Sequence, residues 1–321
     1  MFTHSVVVPA ETITAGTSPS YDLPVSPLSH CLMTVKFAQN LVNDAMVFAN
    51  IAAMIDKVEV LYKGSSVLSL NGLDLLACGL LVCDFESWGV NAAGNDNDLR
   101  SFTFLLPFGR QLYSPVECYP STSRGELILQ TTWASSFTEI DGASLLVEGV
   151  ELPDAHPERF LKMTTSAFTP TGTAEFDMEL PIGNQISDIV LWGTTIPAAD
   201  VATRTIQKIQ VRKNNSEFMY STANFETLHG MMGRMRAAPG YYGSHVHRFT
   251  AAAFAQWDDT GPVIPMNHIL SNHLLIPFDV RRDGVHILRT DDANDLNIRI
   301  KPDAAAAVRV IPCEVAAVSA R

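Results

Sequence analysis

The side chains best suited to chemistry are histidines in the second half of the chain. His245 and His247 stand two apart in SHVHRF, and on a strand that spacing puts both on one face. Neutral imidazoles so placed bind metal ions such as zinc. His229, His268 and His273 belong to the same half, so a three-histidine site is the metal hypothesis. The plainer reading is that these are loop and interface histidines, and it is the reading adopted.

Two acidic stretches suit a hard cation. GNDNDLR (94–100) offers Asp96 and Asp98 with Asn95 and Asn97, and RTDDANDLN (289–297) offers Asp291 and Asp292. Alternate oxygen ligands fit calcium, but the first stretch lacks the central glycine and distal glutamate of an EF-hand loop. It reads as a polar turn ahead of a strand at Ser101, and the second reads the same way. A structural cation near Asp96/Asp98 or Asp291/Asp292 is left open. Asn214-Asn215-Ser216 has the form of a glycosylation sequon but falls in a tight hairpin.

The sequence contains no G-x-S-x-G, H-E-x-x-H, P-loop or G-x-G-x-x-G. No catalytic, cofactor-binding or metal-ligating residue is assigned, no cofactor is expected, and the chain is not read as an enzyme. Five cysteines (Cys31, Cys78, Cys83, Cys118, Cys313) form no C-x-x-C pair and read as buried thiols.

Net charge is −12, no run of Lys or Arg exceeds two, and the first 30 residues carry neither. Phosphate neutralisation supplies most nucleic-acid affinity, so direct genome binding is not expected. Arg234, Arg236 and Arg248 form a small basic cluster that reads as a solvated or interface loop. The N-terminus lacks a signal peptide's basic region and long apolar core. The longest apolar stretch, about Leu75–Cys83, is too short to span a bilayer. A soluble protein made in a cytoplasm is expected.

The elements that would hold these residues are mostly strands. DKVEVLY alternates, with Val58, Val60 and Tyr62 on one face; KGSS breaks it and VLSL resumes, which is a hairpin pattern. SFTFLLPF places Phe102, Phe104 and Leu106 together before Pro107 ends the ladder.

The same vocabulary then returns in the same order. IDKVEVLYKGSSVLS (55–69) is echoed by IQKIQVRKNNSEFMY (206–220), and LACGLL (76–81) by TLHGMM (227–232), both at an offset of 151. DLPV (22–25) matches ELPI (179–182), and ELILQ (126–130) matches DLNIR (295–299). LLPFGR (105–110) matches LIPFDV (275–280), and SLLVEGVEL (144–152) matches AVRVIPCEV (307–315). The offset jumps from 151 at LACGLL to 170 at LLPFGR, so the second copy carries about 19 extra residues, within 233–267. Short helices are expected at Leu73–Cys83 and Asn224–Met235.

Strand-rich halves of about 155 residues without βαβ alternation predict an all-β chain of two tandem jelly-roll β-sandwiches, a double jelly roll with a short helix in each. The expected domains are 1–155 and 156–321, joined near ELPDAHPERF, with an inserted loop at about 233–267 of the kind that is functional or makes contacts. Arg110 and the Arg281–Arg282 pair, just past the two LPF corners, are expected to meet acidic partners across domain or subunit seams.

On these duplicated hairpins and LPF corners the sequence resembles the double jelly-roll major capsid proteins of icosahedral, internal-membrane-containing phages, of the corticovirus-like and finnlakevirus-like kind. The resemblance implies a structural virion protein, located in the capsid and assembled in the host cytoplasm. It implies pseudo-hexameric homotrimers tiling an icosahedral shell over an internal membrane. Implied partners are other copies of the chain, penton or spike and minor capsid proteins, and the internal viral membrane, with no direct nucleic-acid binding. One departure is that nothing here is polybasic, so attraction to anionic lipid must be local or carried by other proteins.

Two rivals differ in class. A tandem β-sandwich spike, adhesin or carbohydrate-binding protein would cluster exposed aromatics on a strand face, whereas Trp88, Trp133, Trp192 and Trp257 are scattered. An enzyme on two jelly rolls would need a carboxylate or histidine cluster between domains.

Overall fold

The computed structural model describes residues 1–40, 48–85, 87, 89–90, 99–194, 205–217, 220–235 and 272–318. They form two compact units: Met1–Thr164 with Ala316–Arg321, and Thr165–Val315.

The first unit runs β1 (Thr3–Thr12), β2 (Ser20–Asp22), β3 (Leu28–Gln39), α1 (Phe48–Ala53), β4 (Ile55–Tyr62), β5 (Ser65–Leu70) and α2 (Gly72–Cys83). It continues through β6 (Gly89–Val90), β7 (Leu99–Pro107), β8 (Leu127–Trp133), β9 (Ile140–Glu151) and β10 (Arg159–Thr164). One sheet has the order β1-β9-β3-β7-β6 and the other β10-β5-β4-β8-β2. Successive strands cross from sheet to sheet except at the β4–β5 hairpin and the short β6–β7 pair, which is the jelly-roll path. Strand alternation builds the core: β8 reads buried at Leu127, Leu129, Thr131 and Trp133, and half-buried between them. Phe102 and Phe104 from β7 meet edge to face at 5.0 Å inside.

The second unit runs β11 (Ser166–Phe168), β12 (Phe176–Glu179), β13 (Gln185–Gly193), β14 (Lys208–Lys213), β15 (Ser216–Glu217), β16 (Ala223–Asn224), α3 (Phe225–Met235), β17 (His273–Pro277), β18 (Leu296–Lys301) and β19 (Val308–Ala317). Its strands follow the same path. β17, β13, β19 and β11 pair in that order, while β12, β18 and β14 form a sheet edged by β15 and β16. Ile189, Leu191, Leu274 and Ile276 of the one sheet share a core cluster with Met178, Ile209, Val211 and Ile298 of the other.

The division falls later than the expected 155/156. Segment 159–164 is a strand of the first unit, with Met163 and Thr164 in parallel register with Leu68 and Ser69 of β5. The chain's last residues also belong to the first unit, where the Val318 N–H donates to the Glu158 carbonyl at 2.8 Å.

Both helices anticipated between the hairpin and the LPF strand are present. α2 is capped by Asn71, whose side chain accepts from the Asp74 N–H at 2.8 Å, and it ends at Asp84 in the left-handed region. The sequence reading had no counterpart for α1. Gly72 lets α1 and α2 approach closely, because a Cβ there would lie 2.1 Å from the Ala52 carbonyl oxygen.

Candidate functional site

The repeated segments occupy equivalent places in the two units, down to single hydrogen bonds. Lys63 and Gly64 turn the first hairpin with φ of 50° and 83°; Asn214 and Asn215 turn the second with 52° and 61°. Two successive positive φ values are the mark of a type I′ turn, whose twist suits a hairpin. The Lys63 N–H donates to the Glu126 carbonyl at 2.9 Å, and the Asn214 N–H to the Asp295 carbonyl at 2.8 Å. Leu28 and Tyr119 exchange two backbone hydrogen bonds of 2.9 Å; Ile186 and Leu288 exchange bonds of 2.9 and 3.0 Å. Phe108 and Phe278, which follow the two corner prolines, donate their N–H to Ser29 and Ser187.

Past the corners the units part. Arg110 is 1% exposed and held by Glu117, seven residues on in the same loop. Its Nε and Nη2 each donate to a Glu117 oxygen at 2.8 Å, and its backbone N–H does so at 2.7 Å. Arg159 Nε adds a contact of 3.0 Å to the same carboxylate. Burial alone would push the Glu117 carboxyl up; the hydrogen bonds and charge of Arg110, with the charge of Arg159, hold it below its ordinary range. This corrects the expectation that Arg110 meets an acid across a seam: its acid lies in its own loop, inside one unit. Glu117 and Arg159 went unnoticed in the sequence; the available signal was an acid in the apolar run SPVEC shortly after an arginine. In the second unit Arg282 takes φ of 58° and donates its backbone N–H to the Asp279 carbonyl, closing a turn, and Arg281 is exposed.

Each unit also exposes aliphatic side chains in the loops on the corner's side of its sandwich. In the first unit these are Val25 (45% exposed) and Val116 (40%); in the second they are Ile182 (48%) and Val285 (70%). Val25 and Ile182 are matching residues of DLPV and ELPI. Beside Val116 the half-exposed Tyr113 lies edge-on to Phe2 at 5.4 Å and to His30 at 5.1 Å. Burial, then the charge of His4, lowers the His30 imidazole to about 4, so it is neutral at physiological pH.

The candidate metal ligands are not brought together where they are described. His273 is fully buried in β17, opposite Trp192 of β13, and His229 stacks on Phe225 at 5.4 Å within α3. His245, His247 and His268 lie outside the described residues, as do Asp96, Asp98 and nearly all of the 233–267 insertion. Among the described residues no group of His, Cys, Asp or Glu could hold a metal ion. Asp292 binds the Lys213 ammonium, which holds its carboxyl below the ordinary range. Asn214 Oδ1 accepts from the Asn294 N–H at 2.8 Å, so segment 289–297 is stitched to the hairpin as a polar turn.

No protein-family model matches the sequence, and no curated protein matches it. Solved structures do match. A chain of Sulfolobus Turreted Icosahedral Virus aligns with a TM-score of 0.68 at 10% identity, over 98% of this chain and 91% of that one. The major capsid protein P2 from Bacteriophage PM2 aligns at 0.64 and 11% identity, over 99% and 98%. A chain of the PBCV-1 virus capsid aligns at 0.63 and 10%, over 100% and 97%. At these identities the likeness is one of fold, and that fold is the double jelly roll.

Proposed function

We propose that this chain is a structural virion protein, a major capsid protein that self-associates as homotrimers and tiles an icosahedral shell. The observation that carries the reading is an end-to-end match: the chain aligns over 99% of its residues with 98% of the PM2 major capsid protein P2, and its two units are jelly rolls of one path. Two similar units per chain give three copies six similar units, so a trimer fits near-hexagonal positions of a closed shell. No step of catalysis, cofactor or genome contact is part of this reading.

The finer assignments belong to the same proposal. The capsid is the site of residence, and assembly takes place in the host cytoplasm. Penton or spike and minor capsid proteins meet the lattice at its vertices and edges. In each unit we place the loops that expose these aliphatic side chains, Val25 and Val116 in the first and Ile182 and Val285 in the second, against an internal membrane, because exposed aliphatic side chains suit an apolar neighbour. The 233–267 insertion serves contacts between subunits.

Native mass spectrometry with light scattering tests the reading. Particles of three times 35.0 kDa are expected, and hexagonal trimers or shells by negative-stain microscopy. A monomer at every concentration and salt would overturn it. Deleting about 19 residues within 233–267 should leave both units folded and damage trimer or lattice formation; unaffected assembly would remove that assignment.

A further inference from the structure

The outward face of the β12-β18-β14 sheet in the second unit is charged in a way its counterpart is not. Ile209, Val211, Ile298 and Ile300 point to the core, so Lys208, Gln210, Arg212, Arg299 and Lys301 line the other face. Lys208 of β14 stands directly opposite Lys301 of β18. Like charges opposite one another on an antiparallel pair destabilise it.

The neighbouring cations are satisfied within the unit. Arg299 forms a two-pronged pair with Asp177, both bonds 2.7 Å, and Arg212 donates to the Asn215 carbonyl at 3.1 Å. Among the described residues no hydrogen bond or ion pair holds the side chain of Lys208 or of Lys301. Both lysines line a shallow cleft of about 140 Å³ that also includes Gln210, Thr222 and Glu175.

The first unit avoids this arrangement. Lys57, the echo of Lys208, faces Thr132 and pairs with Glu59 at 2.8 Å. In the second unit glutamine stands at the position of Glu59 and lysine at that of Thr132. An acid has been dropped and a cation added on one exposed face, in a chain whose net charge is −12.

We infer that this face is a docking surface for a carboxylate-bearing segment of a second copy of the chain. Charge complementarity selects that occupant: any second copy brings a large excess of Asp and Glu, while the acid lining the lysines' cleft, Glu175, forms no ion pair with either of them. The inference rests on the self-association proposed above and adds to it which surface receives the neighbour and by what chemistry. Surface charge pairs are screened by salt, so this contact weakens as ionic strength rises.

The test uses the full chain, mixed from ¹⁴N- and ¹⁵N-labelled protein and coupled with a zero-length carbodiimide that joins amines to carboxylates. Peptide mass spectrometry should find Lys208 or Lys301 joined to an Asp or Glu peptide of the other label. K208E/K301E should lower association at least tenfold while far-UV circular dichroism and hydrogen exchange of the second unit stay unchanged. K208Q/K301Q should do the same more weakly, and it carries the test if the reversal variant fails to fold. Normal association of these variants, without mixed-label cross-links at the two lysines, overturns the inference and leaves self-association standing. Absence of any association by the parent protein removes both. Binding of phosphatidylserine vesicles or of a single-stranded oligonucleotide, lost in K208E/K301E with association unchanged, overturns it in favour of that other anion.

Discussion

The corners Leu105–Arg110 and Leu275–Val280 begin alike and end differently. Each brings a proline to the end of a strand, opposite His30 in one unit and Asp188 in the other, and each sends the next N–H to a serine carbonyl. The first then buries an arginine on a glutamate, where the second has Val280, 40% exposed. The helices before the corners diverge too. α2 is buried on nearly every residue, whereas α3 buries Phe225 and Leu228 and exposes Glu226, Thr227 and Met231. A duplicated fold therefore retains its strand register and turn geometry, while residues just outside the register are free to take separate tasks.

The largest expected effect breaks the corner comparison at Glu117. Removing one partner of a buried ion pair leaves an uncompensated charge inside, at a cost of about 3–5 kcal/mol. E117Q leaves Arg110 and Arg159 without their carboxylate, so the first unit should lose about that much stability. Hydrogen exchange read peptide by peptide separates the units, which one melting curve does not. Equal loss in both units would show that the corner is not a local lock.

Gly109 tests the same corner by shape. A Cβ at that position would lie 2.1 Å from the Glu117 carbonyl oxygen. G109A should therefore force the loop apart and cost about 1–3 kcal/mol, as overpacking does. The second unit has Asp279 at the matching position, with its Oδ2 accepting from the Gly284 N–H at 2.9 Å. Its corner has room for a side chain, and Arg110 need not be seated there. Protection of the Arg110 and Tyr119 amides in G109A should fall first.

Acid should separate the units further. His30 folds with its imidazole lowered to about 4 from 6.5, so the unfolded chain binds a proton that the folded one refuses. Stability from this group is full above 6.5 and lost as pH falls toward 4, up to about 3 kcal/mol in all. Glu117, held low, adds a further loss below the ordinary carboxylate range. Asp188 stands where His30 does, so the second unit has no imidazole at that position. Between pH 6.5 and 4, exchange of first-unit amides should quicken more in the parent than in H30N; identical slopes would remove His30 from the account.

The repeat itself was legible because turns and apolar periods are local. The KGSS and KNNS breaks marked both hairpins, and the LPF corners marked both strand ends. α1 was missed because segment 48–53 carries no cap or charge pattern to announce a helix. The Arg110–Glu117–Arg159 cluster was missed because a charge's burial is decided by contacts across the chain; the sequence suggested only that an arginine after a corner wants an acid. The lysine pair at 208 and 301 was hidden for a similar reason. One residue opens the hairpin's first strand and the other lies in DLNIRIK, and only sheet register sets them opposite.

The smallest effect sharpens the comparison where the units agree best. At the second turn position the first unit has Gly64 at φ 83° and the second has Asn215 at φ 61°. Left-handed backbone is open to glycine and strains most other residues, asparagine less than most. A Cβ on Gly64 would meet nothing within 4 Å, so only the backbone preference is at stake there. N215G should then stabilise the second unit, and G64N destabilise the first, each by a few tenths to about 1 kcal/mol. The first turn position is not interchangeable in this way. Asn214 uses its side-chain oxygen to hold the Asn294 amide, whereas Lys63 reaches Glu126 Oε1 at 3.0 Å. N214K should therefore loosen segment 289–297, releasing its amides to exchange, even with the hairpin intact. If N214K and N215G shift exchange only within the hairpin, then this turn is a closure alone and does not stitch the neighbouring loop.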